Sequence, residues 1–439
     1  MSTLTIRVLE GGERAPFLLD DSGVPMFYPT LFTTVRLRNA GAAVNTIRNK
    51  LADILVLLLW EAHNRRDLIA EFSQSRFLSL PDILSLRDFM KRDTRDLKPV
   101  KPRRGAASIH AFLEAHVGQS GTQASVCASH HFNRMTTLAE YLEFLATVLT
   151  QHKQSNDDSD AIKKMVTSIR NHRPRGLMGY SDGDPHDKSP PSELIDHFMD
   201  VSAVDHPHNP FRDPGVRLRN AILFGLLRHT GMRRGELLSV RTDLIEFGNE
   251  PLVWLRRNQD DISDPRPYQG VPKTNERALP LPRALADQIQ DYILNVRAGI
   301  PPARRHPYLL VSHKKGPGYG NPLSAAALGT QIMRKMRQVD PTFSAIHPHA
   351  FRHHFNYELS QQIDEHNRKA RSGSAKYAML EPISEAQELD MRAILNGHRS
   401  RESGVAYNQR HIRETANRAI RALQAGMTWT DLSRGENEY

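Results

Sequence analysis

The chain has one cysteine, Cys127, among 439 residues. A lone thiol cannot build an internal disulfide framework or a zinc site made of four cysteines. A reducing compartment is the simple expectation. Long apolar runs are missing too: the longest, around Leu55–Trp60, falls far short of the roughly 20 residues that a membrane-spanning helix needs. The opening stretch, MSTLTIRVLEGGER, lacks the basic-then-apolar layout of a secretory signal, so a cytoplasmic protein is expected. Acidic residues are in deficit, with 49 against 59 lysines and arginines, a net charge of +10 and a pI near 9.7. That balance favours a polyanionic partner. Hydrophobic residues make up 39%, charged residues 25%, and mean hydropathy is −0.52. This is the composition of a soluble globular chain and argues against a disordered or membrane protein. The length suggests roughly three domains and is ample to bury cores without staples.

Residues 1–40 read as short strands and turns: Leu4–Leu9 alternates, Gly11-Gly12 and Asp20-Asp21 mark turns, and Pro25 and Pro29 are expected to break any helix. From Ala43 the period becomes helical, with Val44, Ile47, Leu51, Ile54, Leu55 and Leu58 at spacings of three and four. Further helices are expected at Pro81–Lys91 and Leu138–Leu149. The basic stretch KPVKPRR, Lys98–Arg104, reads as a solvated or phosphate-contacting loop. Polar, Pro- and Gly-bearing sequence at 152–190 marks a linker, with a short helix at Ala161–Ile169. Helices are then expected at Ser192–Met199, Leu218–Arg228 and from about Arg234 to Val240. Strand-like runs, PLVWL and VPKTNERALPL, follow. Helices resume at Pro282–Val296, Ala325–Gln338, Ala350–Gln362, Ser384–Leu395 and Gln409–Leu423. No internal repeat is evident.

Five short stretches carry the chemistry, and they count as an ordered set. TGMRRGELLSV begins at Thr230, PKTNERALPL at Pro272, HPHAFRHHF at His347 and NGHRS at Asn396, and Tyr407 stands nine residues beyond His398. The chain here resembles the tyrosine site-specific recombinases, the phage-integrase family. Their motifs are an arginine after a Thr-Gly turn, a hairpin lysine, His-x-x-Arg-His, Gly-His, and a tyrosine nine residues on. The resemblance is strong over about 186–439. At 41–150 it is weak and rests on length and helicity. Any one motif would be a weak signal; all of them in order is a strong one.

The resemblance implies Tyr407 as nucleophile, with Arg233 and Arg352 clamping the scissile phosphate beside His349 and His398. It implies Lys273 as general acid for the departing 5′ oxygen. Glu236 matches the acidic residue that holds the first arginine, and His353 joins it as a supporting residue. The chemistry agrees. Attack on a phosphodiester builds negative charge on the non-bridging oxygens, and two permanently charged guanidinium forks suit it. A phenol with pKa near ~10 needs cationic neighbours to attack at neutral pH. It can then form a covalent intermediate that conserves the phosphodiester energy. A lysine among arginines should have a lowered pKa, suited to protonating an alkoxide.

Each residue taken alone also has a plain structural reading. Arg233 is compatible with a surface charge, Lys273 with a solvated turn, His398 with a helix cap, and Tyr407 with a half-buried aromatic. His349 and His353 are spaced i, i+4, which also suits a metal; no glutamate follows His349 and no cysteine pair exists, so zinc is set aside. The departures from the family pattern are an expected insertion at about 364–385, Phe351 and Asn396 where leucine is commoner, and residues 1–40 outside the minimal plan.

The expected fold is mainly α with a small β-sheet in the catalytic domain, that is α+β, arranged as a two-lobed DNA clamp. Its expected parts are an N-terminal extension (1–40), a helical core-binding domain (41–151), a linker (152–185) and a catalytic domain (186–439) ending in the helix 409–423. Lys98, Lys101, Arg103 and Arg104 are the candidate phosphate contacts of the helical domain. The expected partners are double-stranded DNA with inverted-repeat sites, further copies of the chain forming a dimer-to-tetramer synapse, and an accessory DNA-bending protein; a membrane is not among them. No cofactor or metal is implied. The rival readings are an inactive DNA-binding regulator of the same fold and a type IB topoisomerase-like enzyme. A mobile element is the expected setting.

Overall fold

The computed structural model describes residues 2–93, 125–153, 156–175, 189–377, 379–398, 400, 416–417 and 420–421. Among the described residues the fold is mainly helical with two small antiparallel sheets. The chain divides into two compact units. One holds Met1–Leu9 and Arg14–Tyr180; the other holds Glu10–Glu13 and Ser181–Tyr439.

In the first unit, β1 (Thr3–Val8) and β2 (Arg14–Leu19) form an antiparallel ladder from Thr3 opposite Leu19 to Val8 opposite Arg14. Helix α1 (Phe27–Phe32) follows and runs on as a π-helical turn, Thr33–Arg38. The expectation that Pro25 and Pro29 exclude a helix here is corrected. Pro29 lies in the first turn, where an N–H would have no intrahelical acceptor anyway, and its fixed φ suits the helix. Helix α2 (Val44–Asn64) buries Ile47, Leu51, Ile54 and Leu57 and stops at Arg65, whose φ of 53° is left-handed. Helix α3 (Leu68–Ser73) is capped by Asp67, which accepts from the Ala70 N–H at 3.0 Å. Helix α4 (Leu80–Met90) opens with a capping box between Ser79 and Asp82, and a proline occupies its first turn. Helices α5 (Ala128–Thr150) and α6 (Asn156–Asn171) follow. Arg134 on α5 is buried and donates to the Met90 carbonyl at 2.8 Å and the Arg92 carbonyl at 2.7 Å. It thereby supplies the acceptors at the end of α4 with a partner from another helix. Leu51, Ile54, Trp60, Leu138, Leu142 and Ile169 lie in the core.

The second unit starts with α7 (Ser192–Val201) and α8 (Pro214–Thr230). Asp213 caps α8 by accepting from the Val216 N–H at 2.8 Å. A short helix α9 (Arg234–Leu237) precedes a sheet of order β3 (Ile245–Glu246), β4 (Leu252–Leu255), β5 (Arg277–Pro280). In β4, Val253 and Leu255 face the core while Leu252 and Trp254 face outward, the period-2 alternation of a half-buried strand. Next come α10 (Arg283–Asp291), α11 (Ala325–Ala327), α12 (Arg334–Val339), α13 (Pro348–Arg371) and α14 (Glu385–Asn396).

Phe198 centres this core. Its ring lies 4.8 Å from Phe224, 4.9 Å from Phe343 and 5.7 Å from Phe351, each edge to face. Truncating such a buried ring costs about 3–5 kcal/mol. Phe351 is therefore a core residue on α13, one position before Arg352. Helix α8 is tied to α13 by a two-pronged pair between Arg228 and Glu358, with His354 3.3 Å from the same carboxylate. Burial pushes the Glu358 carboxyl up, but the His354 hydrogen bond and Arg228 outweigh it and hold it at about 2.

The stretch expected as an insertion has a plain form. Helix α13 continues to Arg371, and the chain then returns along it. The Asn367 side chain donates to the Ile383 carbonyl at 3.1 Å and accepts its N–H at 2.7 Å, like one rung of a ladder.

Candidate active site

Three turns carry the site. The first ends α8. Gly231 there has a φ of 59°, a left-handed cap that favours glycine. A β-carbon at 231 would also lie 2.6 Å from Cδ1 of Phe355 on α13. Glycine at this position thus serves both the turn and the close approach of two helices. Arg233 follows as the N-cap of α9.

The second turn ends α14. Gly397 has a φ of 63°, and a β-carbon there would lie 2.5 Å from Nη1 of Arg277. The carbonyl just before it, that of Asn396, is the meeting point of the site. It accepts from Arg233 Nη1 at 3.2 Å and from Arg352 Nη2 at 2.9 Å. Arg352 sits on the second turn of α13, has no exposed surface, and also donates to the Gly231 carbonyl at 3.0 Å. Its Nη2 lies 3.1 Å from Nε2 of His398. A guanidinium can only donate, so Nε2 of His398 is the acceptor and the neutral ring carries its proton on Nδ1. Burial pushes the His398 pKa down, and Arg352, Arg233 and Arg277 push it further, to about 4. Arg233, Arg352 and His398 thus converge on one backbone turn. The two guanidinium charges lie around a neutral imidazole.

The third segment is the β4–β5 connection, which carries Lys273. The Lys273 side chain is exposed. Its loop is fixed to the Gly397 turn: the Asn275 N–H donates to the Gly397 carbonyl at 3.2 Å, and the Asn275 side chain to the His398 carbonyl at 3.3 Å.

Glu236 is almost fully buried and acts as the junction of these segments. It accepts the Arg233 N–H at 2.8 Å, the Thr274 hydroxyl at 2.5 Å, and two guanidinium contacts from Arg277 at 3.2 and 3.0 Å. Burial raises its pKa, but Arg277, Thr274 and the Arg233 N–H overcome that and leave it below the usual carboxylate range. The Arg233 guanidinium is only within 3.7 Å of this carboxylate. Glu236 therefore holds Arg233 through its backbone, while its carboxylate charge is matched by Arg277. The Arg233 charge remains part-exposed at the site.

His349 is exposed on the first turn of α13, one turn before Arg352, and its ring meets the buried His353 ring edge-on at 4.6 Å. His347 caps the same helix, accepting the Ala350 N–H at 2.9 Å. Among the described residues, no group of three or more His, Cys, Asp or Glu side chains is placed to hold a metal ion. No helix among them is long and apolar enough to cross a membrane.

Four residues to which the motifs assigned no role support the site. Arg277 has been described. Asn396 exchanges side-chain hydrogen bonds with Asn356 at 2.7 and 3.1 Å, and Arg392 donates to the Asn356 carbonyl at 3.1 Å. Asn356 in turn donates to the Arg352 carbonyl at 2.8 Å. This polar network is buried and fixes the turn that both site arginines use. Asn396 in place of the commoner leucine was the one legible signal. Tyr407, Lys98, Lys101, Arg103 and Arg104 lie outside the described residues. Within the expected helix 409–423, Ala416, Asn417, Ile420 and Arg421 are helical and exposed.

Residues 204–366 match the model of the phage integrase family. Over those residues the chain carries a phage integrase family domain. Members of that family are tyrosine site-specific recombinases, so the matched segment is a tyrosine recombinase domain. The matched segment contains Arg233, Glu236, Lys273, His349, Arg352 and His353; His398 and Tyr407 lie beyond it. No curated protein matches the chain. Among solved structures, it is similar to the XerH site-specific recombinase bound to palindromic difH substrate in a post-cleavage complex. There the identity is 14%, the TM-score 0.45, and the match spans 88% of this chain and 83% of the other. The XerA recombinase matches at 13% identity and a TM-score of 0.34, over 80% of this chain and 97% of that one. Likenesses this distant carry no argument about the site.

Proposed function

We propose that this phage integrase family protein cuts and rejoins DNA strands at defined sites through a 3′-phosphotyrosine on Tyr407. The observation that carries the reading is the joint hold of the Asn396 carbonyl on Arg233 and Arg352, with His398 hydrogen-bonded to the second arginine. Two guanidinium groups held on one turn concentrate positive charge where a pentacoordinate phosphate develops negative charge. His398 is neutral and donates through Nδ1 rather than adding a full charge. The Tyr407 phenol gives its proton to water as its oxygen attacks phosphorus, and the 5′ oxygen departs with a proton from Lys273. His349 stands at the mouth of the same helix turn and contacts the phosphate. A 5′-hydroxyl from a second duplex then attacks the phosphotyrosine, and the strand is rejoined in a new pairing.

The substrate of this reading is duplex DNA with inverted-repeat sites, gripped by both units of the chain. Lys98, Lys101, Arg103 and Arg104 neutralise phosphates, and copies of the chain assemble on paired sites, with a DNA-bending protein as accessory. The setting is a mobile element acted on at the nucleoid, in the cytoplasm. The test is a nicked duplex from which the 5′ fragment can diffuse away. The wild-type chain should accumulate a covalent DNA adduct, and Tyr407→Phe should bind the same DNA and form none. Adduct with the phenylalanine variant would move the nucleophile to another residue. Binding without adduct by the wild type would favour the inactive-regulator alternative.

A further inference from the structure

We infer that Arg277 is a positioning residue for catalysis: it holds the Lys273 loop in register with the Arg233 and His398 turns. The inference rests on the recombinase reading above and extends it to a residue that reading does not use.

Arg277 opens β5 and is buried. Its side chain spans three segments at once. Nη1 and Nη2 donate to both oxygens of Glu236, which caps the Arg233 turn. Nη1 also donates to the Thr274 hydroxyl at 2.9 Å, one residue from Lys273. Nε donates to the Leu395 carbonyl at 2.9 Å, at the end of α14 and three residues before His398. Gly397 is the glycine that lets the His398 turn come this close, since a β-carbon there would meet the Arg277 guanidinium.

Two features favour positioning over plain stability. First, Arg277 and Glu236 neutralise each other, so the buried pair adds no net charge and leaves Arg233 and Arg352 as the cations of the site. A buried pair of this kind is weak evidence of stabilisation but a sound device for fixing geometry. Second, the three segments it joins carry Lys273, Arg233 and His398, which stand far apart along the chain. Their mutual register is a tertiary matter that Arg277 sets with one planar fork. Misplacement by roughly 1 Å at such a site can cost about 10²-fold in rate.

The informative substitution is Arg277→Lys. It keeps the positive charge beside Glu236, so the carboxylate is not left buried alone, but one ammonium cannot reach Glu236, Thr274 and the Leu395 carbonyl together. The measurement is the single-turnover rate of adduct formation by the full chain on two nicked duplexes, one with a normal phosphodiester and one with a 5′-bridging sulfur. A thiolate leaves without a general acid, so the second substrate does not need Lys273. Arg277→Lys should lose about 10–100-fold on the normal duplex and recover most of that on the sulfur substrate, with DNA affinity unchanged. Lys273→Ala should behave alike, and combining the two should add little. Equal losses on both substrates, or a full additive loss in the combined variant, would overturn the positioning role. Arg277→Lys as active as wild type would also overturn it. If the variant fails to fold, Arg277→Met with Glu236→Gln, which removes both buried charges, is measured in the same way and read by the same outcomes. A wild-type chain that makes no adduct on either substrate refutes the recombinase reading itself, and is thereby distinguished from failure at Arg277.

Discussion

Gly231 offers a perturbation whose magnitude follows from the geometry. Gly231→Ala adds one methyl at a φ of 59°, against the Phe355 ring at 2.6 Å. The left-handed backbone costs an alanine roughly 1–2 kcal/mol. The clash is an overpacking error between two helices, worth about 1–3 kcal/mol. Together they predict a loss of roughly 2–5 kcal/mol, a large fraction of a typical domain's stability. The two parts separate in a double-mutant cycle with Phe355→Ala. Removing the ring abolishes the clash but not the backbone strain, so Gly231→Ala in that background should cost only roughly 1–2 kcal/mol. Urea unfolding of the four proteins, followed by tryptophan fluorescence and circular dichroism, measures this. A chemical consequence comes with it. The Gly231 carbonyl accepts Nη1 of Arg352 at 3.0 Å, so a shift of this turn displaces the arginine. Cleavage by Gly231→Ala should fall by about 10²-fold at a denaturant concentration where the protein is still folded. A Gly231→Ala cost that is the same with and without Phe355 would refute the close-approach argument, and a cost near zero would refute the left-handed cap.

Two further outcomes follow from the charges. His398 is held neutral, with its pKa lowered to about 4 by burial and then by the site arginines. Its folded value lies below the ordinary one, so the unfolded chain takes up this proton first. The stability from the neutral ring is complete above about pH 6.5 and is lost as pH falls toward the folded value. His398→Asn should therefore lose less stability than wild type between about pH 7 and pH 4, as read from urea midpoints; equal losses would mean that the ring titrates normally. DNA affinity should fall steeply with salt, with a log–log slope of about −0.9 per phosphate neutralised. Replacing Lys98, Lys101, Arg103 and Arg104 with alanine should flatten that slope while leaving sequence preference largely intact, and a slope unchanged in filter-binding or fluorescence titrations would exclude this segment from the interface.

Sequence alone determined much of the local structure. The three-and-four spacing from Val44 to Leu58 becomes α2, Ser384 with Gln387 becomes a capping box that starts α14, and Gly231 and Gly397 mark two helix ends. These are short-range effects, in which each residue meets partners within a few positions along the chain. The Pro29 reading failed because a proline breaks a helix interior, and position within the first turn reverses its meaning. The motif order likewise singled out Arg233, Glu236, Lys273, Arg352 and His398 one by one. Only the tertiary structure decided what joins them. The Asn396 carbonyl that receives both arginines, the Asn356 and Arg392 network beneath it, and the Arg277 fork onto Glu236 all bridge separations of 36 residues or more. No periodicity reports such contacts, because a buried polar side chain takes whichever donor or acceptor the folded chain brings to it. Hydrogen-bond satisfaction in the interior is a property of the whole fold, and that is why the partner of Glu236 proved to be Arg277, with Arg233 held through its backbone.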